Sequence, residues 1–202
     1  MRLDHLVILC ADLADGISHV AAALGVTPAP GGRHALFGTH NAVVSLGGGT
    51  YLEVLAPDPE APVPERPRWF GLDLFEGPPR LANWACAVDD LDAALDAAPF
   101  AGEPLDLARG ALRWRIAVPA DGALPMGGAF PTLLEWQSPP PGETLPDAGL
   151  RLRSLAIQAP HAGEALEALG GALPDPAITL TGAERFRLSA EIDTPHGPRH
   201  LA

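Results

Sequence analysis

The chain has 202 residues, is 47% hydrophobic and carries a formal net charge of −12. That size and apolar content build a packed core and exclude disorder, and the acidic balance excludes nucleic acid and anionic membrane as partners, because both need a cationic face. All 13 basic residues are arginine, which excludes Schiff-base chemistry by a lysine amine.

Residues 3–10 alternate as a strand, with His5, Val7 and Leu9 on one face and Asp4, Leu6, Ile8 and Cys10 on the other. A helix is expected over 12–24, capped by Asp12 and ended by Gly25. After a turn-rich stretch at 28–33, strands are expected near 34–37, 41–46 and 50–56, with Gly47–Gly49 as a hairpin turn. The first module, 1–57, is thus β-α-β-β-β. Seven prolines mark 58–79 and its borders as a linker or surface loop, with Trp69, Phe70, Leu72, Leu74 and Phe75 packing it onto the body or forming a lid.

The opening phrase then recurs. Leu3, Asp12 and Leu13 of LDHLVILCADL return as Leu81, Asp90 and Leu91 of LANWACAVDDL, each 78 positions on. Strand 81–88, helix 90–98 and strands near 103–108, 111–118 and 131–137 repeat the β-α-β-β-β order in a second module, 80–138. A Pro-rich loop follows at 139–149. Residues 150–202 offer a third βαβββ-like module, with strands near 150–158, 177–181, 184–192 and 196–201 and a helix at 161–170. The expected fold class is α+β, with repeated βαβββ modules forming a cupped, barrel-like mixed sheet and the helices on its outer face. The matched modules one and two are expected to close the cup; pairing of one with three is the alternative.

Duplication directs attention to matched polar positions. His5 aligns with Asn83 and, in the third phrase, with Ser154. Glu53 in TYLEVLAP and Glu135 in PTLLEWQSP each stand between large apolar residues of a last strand. A carboxylate in an apolar strand is costly unless it is paired, hydrogen-bonded or metal-bound. His5, Glu53 and Glu135 converging in one interior would form an N/O site for Zn, Mn, Fe, Ni or Co. The alternative is that the glutamates pair with arginines such as Arg33, Arg113 or Arg115. Asn83, His40 and Asn41, with Arg113 and Arg115 as anion anchors, are the candidate substrate contacts. Strict alternation puts Trp84 and Trp136 on the helix-covered face. Cys10 and Cys86 are expected to be free buried thiols. No signal-peptide pattern and no apolar run of about 20 residues is seen, so a cytoplasmic protein is expected.

The LDHLVI opening, GTHNAVVSLGGGTYLEVLAPDP and FPTLLEWQ resemble the glyoxalase-like domain proteins of the vicinal oxygen chelate superfamily. The resemblance implies paired βαβββ modules around a divalent metal, held from the first and last strands at His5, Glu53, Asn83 and Glu135. It implies a metal-dependent enzyme of lyase, isomerase or dioxygenase type that chelates two neighbouring oxygens of a small substrate, with Glu135 as the proton-shuttling base. Members of the bleomycin-resistance type imply the alternative, a small-molecule-binding protein without metal or turnover. A homodimer formed through the 150–202 module is compatible with either.

Overall fold

A computed structural model describes residues 1–202. Two sheets carry the architecture. The first has eight strands: β1 (Arg2–Leu9), β2 (Ala29–His34), β3 (Thr39–Ser45), β4 (Tyr51–Pro57), β5 (Arg80–Ala87), β6 (Glu103–Arg109), β7 (Leu112–Val118) and β8 (Thr132–Trp136), in the order β2-β3-β4-β1-β5-β8-β7-β6. β1 lies parallel to β4, β5 lies parallel to β8, and β1 and β5 join the halves as an antiparallel pair. Units one and two therefore close the cup.

The join preserves the sequence repeat. His5 faces Ala85 and Val7 faces Asn83, so each pair maps onto the other when 78 is added to the β1 residue. Leu6 faces Trp84, its own counterpart, which places a pseudo-two-fold axis between them. The register slips by one residue at Asp4 on β1 and at Ala82 on β5, again 78 apart. These are β-bulges, and each turns two consecutive side chains to the same face.

Two cores result. The outer, convex face holds Leu6, Ile8, Leu52, Val54, Trp84 and Cys86, covered by α1 (Leu13–Leu24) and by the second sheet. The inner, concave face holds Val7, Leu9, Leu55, Ala85, Trp114, Ile116 and Leu134, closed by Trp69, Phe70 and Leu72. α1 forms where expected: Asp12 accepts hydrogen bonds from Ala14 N and Asp15 N, and Gly25 ends the helix at φ 73°. α2 (Leu91–Ala97) is capped by Asp90. A short α3 (Pro141–Thr144) leads to the second sheet.

That sheet contains β9 (Arg151–Ala159), β10 (Ile178–Gly182), β11 (Arg187–Thr194) and β12 (Gly197–Leu201), with α4 (Ala162–Ala168) after β9. The element order is again β-α-β-β-β, but the strand order is β10-β9-β11-β12. Its first strand is central, whereas β1 pairs with the last strand of its unit. The third segment therefore buttresses the cup from outside through Leu155, Ile157, Leu188 and Ile192. No helix is long and apolar enough to cross a membrane.

One strand departs from expectation. The stretch 29–34 is strand β2 and 35–38 is a turn. Gly31 and Gly32 have the composition of a turn, yet in the strand they serve close approach. A Cβ on Gly31 would fall on the Asn41 side-chain oxygen, and one on Gly32 would lie 2.5 Å from Arg109 Cδ.

Gly16 tests how α1 seats. Its added Cβ would lie 2.5 Å from both Cys10 Sγ and Val54 Cγ1. Helix propensity alone predicts that Gly16→Ala stabilises by about 1 kcal/mol. Overpacking at this contact costs about 1–3 kcal/mol, so net destabilisation is expected in urea unfolding. A variant at least as stable as wild type would contradict this packing.

Candidate functional site

The bulge at Asp4 builds the site. Strict alternation assigns Asp4 to the outer face. The extra residue instead brings Asp4 and His5 together inside the cup. Asp4 is fully buried, with one oxygen accepting from His5 Nδ1–H at 2.7 Å and the other from Trp136 Nε1–H at 2.9 Å. On the far side of the ring, His5 Nε2 stands 3.6 Å from Glu53 Oε2. Tyr51 stacks on the imidazole at 4.7 Å. His5 is thus held between two carboxylates.

Asn41 orients Glu53. Its amide nitrogen donates to Glu53 Oε1, while its oxygen accepts from Gly32 N at 2.7 Å and from Arg109 Nη1 at 3.1 Å. Arg109, at the end of β6, reaches across the mouth of the cup and donates also to His34 Nε2 at 2.8 Å. His34 Nδ1–H donates in turn to Thr39 Oγ1 at 3.1 Å. Burial, assisted by the charge of Arg109, lowers the His34 pKa to about 3 and keeps it neutral. His5 behaves oppositely. Burial disfavours its charge, but the hydrogen bond and charge of Asp4, joined by the charge of Glu53, outweigh that and raise its pKa above 6.5. Burial also holds the Tyr51 phenol protonated, and pushes the Cys10 thiol up to about 12 and the Cys86 thiol further still. Neither cysteine is a nucleophile.

Trp69, Phe70, Trp114, Ile116, Leu134 and Trp136 complete the walls. Trp69 stacks on Phe37 and meets His34 edge-on. Its buried indole N–H has no partner. The space left inside is about 30 Å3, enough for water but far below the roughly 300 Å3 of a site for a small organic ligand. A ligand of that size would fit the cup only with the Trp69–Leu74 turn displaced. Phe70 holds a left-handed backbone, φ 62°, which costs a non-glycine residue about 1–2 kcal/mol and marks the turn as strained.

The structure brings His5, Glu53 and Asn41 together and disperses several other candidates. Glu135 is a correction. In the sheet Glu53 stands opposite Val7 and Thr132 opposite Ala85, and Val7 and Ala85 are the matched pair. Thr132 is therefore the counterpart of Glu53, three residues before Glu135, and an odd slip reverses the face. Glu135 points outward. It accepts from Leu91 N at 3.1 Å, at the start of α2, and pairs with Arg115 at 3.4 Å, so it is neither a metal ligand nor a base in the cup. Trp136 takes the inward position that alternation denied it. Arg113 and Arg115 share the outer face of β7: Arg113 donates to Gly110 O and Leu112 O, and Arg115 pairs with Asp92 at 2.7 Å. Neither is an anchor in the cup. His40 also points outward, into a surface hollow beside the start of α1. Asn83 lies buried on the inner face but outside the closed cavity. It donates to Thr132 Oγ1 at 2.9 Å, and its side-chain oxygen has no partner.

This donor set bears on the metal. His5 Nε2 and Glu53 Oε2 would supply two ligands. Their counterparts, Asn83 and Thr132, bond to one another, and no group of three His, Cys, Asp or Glu side chains converges to hold an ion. Catalytic centres of the zinc type take three protein ligands. The residues do not fit the centre that the resemblance implies.

A cup of two paired βαβββ units joined through their first strands, with a polar cluster inside, is the architecture that the resemblance to glyoxalase-like domain proteins implies. The sequence matches the glyoxalase-like domain family over residues 3–173, and the chain belongs to that family. Among solved structures, a hypothetical protein from Staphylococcus aureus is similar at 9% identity and TM-score 0.63, covering 92% of this chain and 87% of that one. A methylmalonyl-CoA epimerase from Mycobacterium tuberculosis is similar at 20% identity and TM-score 0.46, covering 71% and 91%. A methylmalonyl-CoA epimerase from Streptomyces coelicolor, in complex with 2-nitronate-propionyl-CoA, gives 22%, 0.45, 69% and 97%. At these identities the likeness is one of fold. No curated protein matches the chain.

The raised His5 pKa sets a pH window. Because the folded value lies above the unfolded 6.5, its contribution to stability is fully present below pH 6.5 and is lost as pH rises through the folded value. An NMR titration of the His5 ring is expected to give a midpoint above 6.5 in the wild type and a lower midpoint in Asp4→Asn. An unchanged midpoint in the variant would remove Asp4 as the cause.

Proposed function

We propose that this protein is an enzyme that moves a proton at a carbon next to a carbonyl of a small, oxygen-bearing substrate, using its own side chains. The observation that carries the reading is His5 fixed between Asp4 and Glu53 inside a small, aromatic-walled cavity. Ionisable groups gathered at a perturbed pKa in a secluded pocket are the usual mark of acid–base chemistry.

In this mechanism Glu53 takes the proton from the carbon. The C–H bond breaks, an O–H bond forms on Glu53, and the electron pair moves onto the substrate carbonyl oxygen. The His5 imidazolium donates to that oxygen through Nε2–H, and Asp4 stabilises its charge through Nδ1–H. Asn41 holds Glu53 Oε1 and leaves Oε2 toward the reaction. Arg109 supplies fixed positive charge at the mouth, where a substrate carboxylate or second oxygen would lie. Return of the proton to the other face, or to the neighbouring carbon, completes an epimerisation or isomerisation with no redox partner. A preorganised donor at the developing oxyanion contributes about 10²–10³ in rate, and a placed base about 10²–10⁴. The cage of Trp69, Trp114 and Trp136 supports a second reading, ligand binding without turnover.

Exchange of α-protons for deuterium, followed by NMR across a panel of 2-oxo, 2-hydroxy and 2-methyl-3-oxo acids, separates the two. Exchange is expected with at least one compound, undiminished by EDTA and reduced at least about 10²-fold in Glu53→Gln. Binding of a panel compound with no exchange would favour the ligand cage. Exchange that EDTA abolishes would overturn the metal-free mechanism.

A further inference from the structure

Phe70 has a second face. One side closes the cup, and the other lines a groove of about 1140 Å3 between the Trp69–Leu74 turn, the 121–127 loop and the edge of the second sheet at Phe186–Ser189. Leu9 and Ala82 form the part of the groove nearest the cup. The turn and the loop are tied into one wall, Gly71 N donating to Gly122 O at 2.8 Å. Each also contains a non-glycine residue at positive φ followed by a glycine at positive φ, Phe70–Gly71 and Met126–Gly127. Backbone strain paired in this way on the two elements bordering one hollow fits a ligand clamp.

The lining names the chemistry. Leu74, Phe75, Leu124 and Leu188 give an apolar floor and lip, and Leu74 is 88% exposed, a large apolar surface left to water. Three arginines face this space. Arg68 is neutralised by Asp73 at 2.7 Å. Arg80 lies over the Phe75 ring at 4.2 Å and donates to the backbone oxygens of Glu76 and Pro78. Arg187, exposed at the start of β11, makes no ion pair. The acid that remains, Asp121, holds Ala123 N with one oxygen. In a chain of net charge −12, this groove keeps two guanidinium groups without a carboxylate partner.

We propose that the groove binds the remote part of the substrate, an apolar chain ending in an anionic group, and that its oxygen-bearing head reaches His5 and Glu53 through the opening that Phe70 blocks. The assignment of the head rests on the proton-transfer reading; the groove itself does not. Apolar area along Leu74 and Leu124 supplies the affinity, and Arg187 sets the sign of the charge. Phe70 separates a site large enough for the chain from one too small to admit the head, so displacement of its ring couples occupancy of the groove to opening of the cup.

Octanoate, octan-1-ol and octylamine are the probes, titrated into the 15N-labelled full chain. Octanoate is expected to shift the amides of Leu74, Ala82, Gly127 and Leu188. Leu74→Asn, at an exposed position that tolerates the change, is expected to weaken octanoate and octanol alike by about five-fold or more. Arg187→Glu is expected to weaken octanoate to a similar degree and to leave octanol within about two-fold. No shifts at these amides, shifts unaltered by both variants, or octylamine binding as well as octanoate would overturn the proposal. Octanoate binding that survives Glu53→Gln, together with no exchange in any panel compound, would sink the proton-transfer reading and leave the groove standing.

Discussion

Every polar group in the cup owes its place to the antiparallel pairing of β1 with β5. It is the one strand ladder between the two four-stranded halves, and its register decides which side chains of both first strands face inward. Leu6 and Trp84 lie on its axis, so one unit's geometry is imposed on the other. The bulges at Asp4 and Ala82 are matched in position and differ in content. In the first unit the extra residue is an acid that grips a histidine. In the second it is an alanine beside an asparagine. The same backbone device makes a charged half-site on one side and a neutral one on the other.

Burying Asp4, His5, Glu53 and Arg109 near each other is expensive unless each is partnered. Neutral intermediaries do much of that work. Asn41 divides its amide between Glu53, Gly32 and Arg109, and His34, kept uncharged by burial, accepts from the guanidinium. Such a network ties positions to one another. Glu53 cannot swing away from His5 without losing the amide of Asn41, whose oxygen also accepts from Arg109. The aromatic cover is held separately, by the Arg68–Asp73 and Gly71–Gly122 bonds, and it carries the left-handed Phe70.

Much of the cup was legible in the sequence, because alternation in apolar strands is a strong signal. His5 and Glu53 stood out as polar residues among aliphatics, and the 78-residue echo identified the partner strands. What escaped was whatever depended on pairing rather than counting. Glu135 matches Glu53 by eye, but the ladder matches Thr132 to it. Alternation alone turns Asp4 outward, because a bulge leaves no mark on a period of two. Arg109 sits in EPLDLAR, a polar edge strand whose purpose appears only when the far edge curls to meet it. Gly31 and Gly32 carry the composition of a turn, and only the close approach of Asn41 explains them as strand.

That curl has a consequence for the behaviour of the chain at high concentration. An open eight-stranded sheet ends in two rows of unpaired amides and carbonyls, which can recruit strands from other molecules. Here the terminal strands, β2 and β6, are bent toward each other and strapped by Arg109 across the gap. Each also carries a proline, Pro30 and Pro104, that deletes a donor. The residue that places charge over the cup thus also ties the sheet's two free edges to each other.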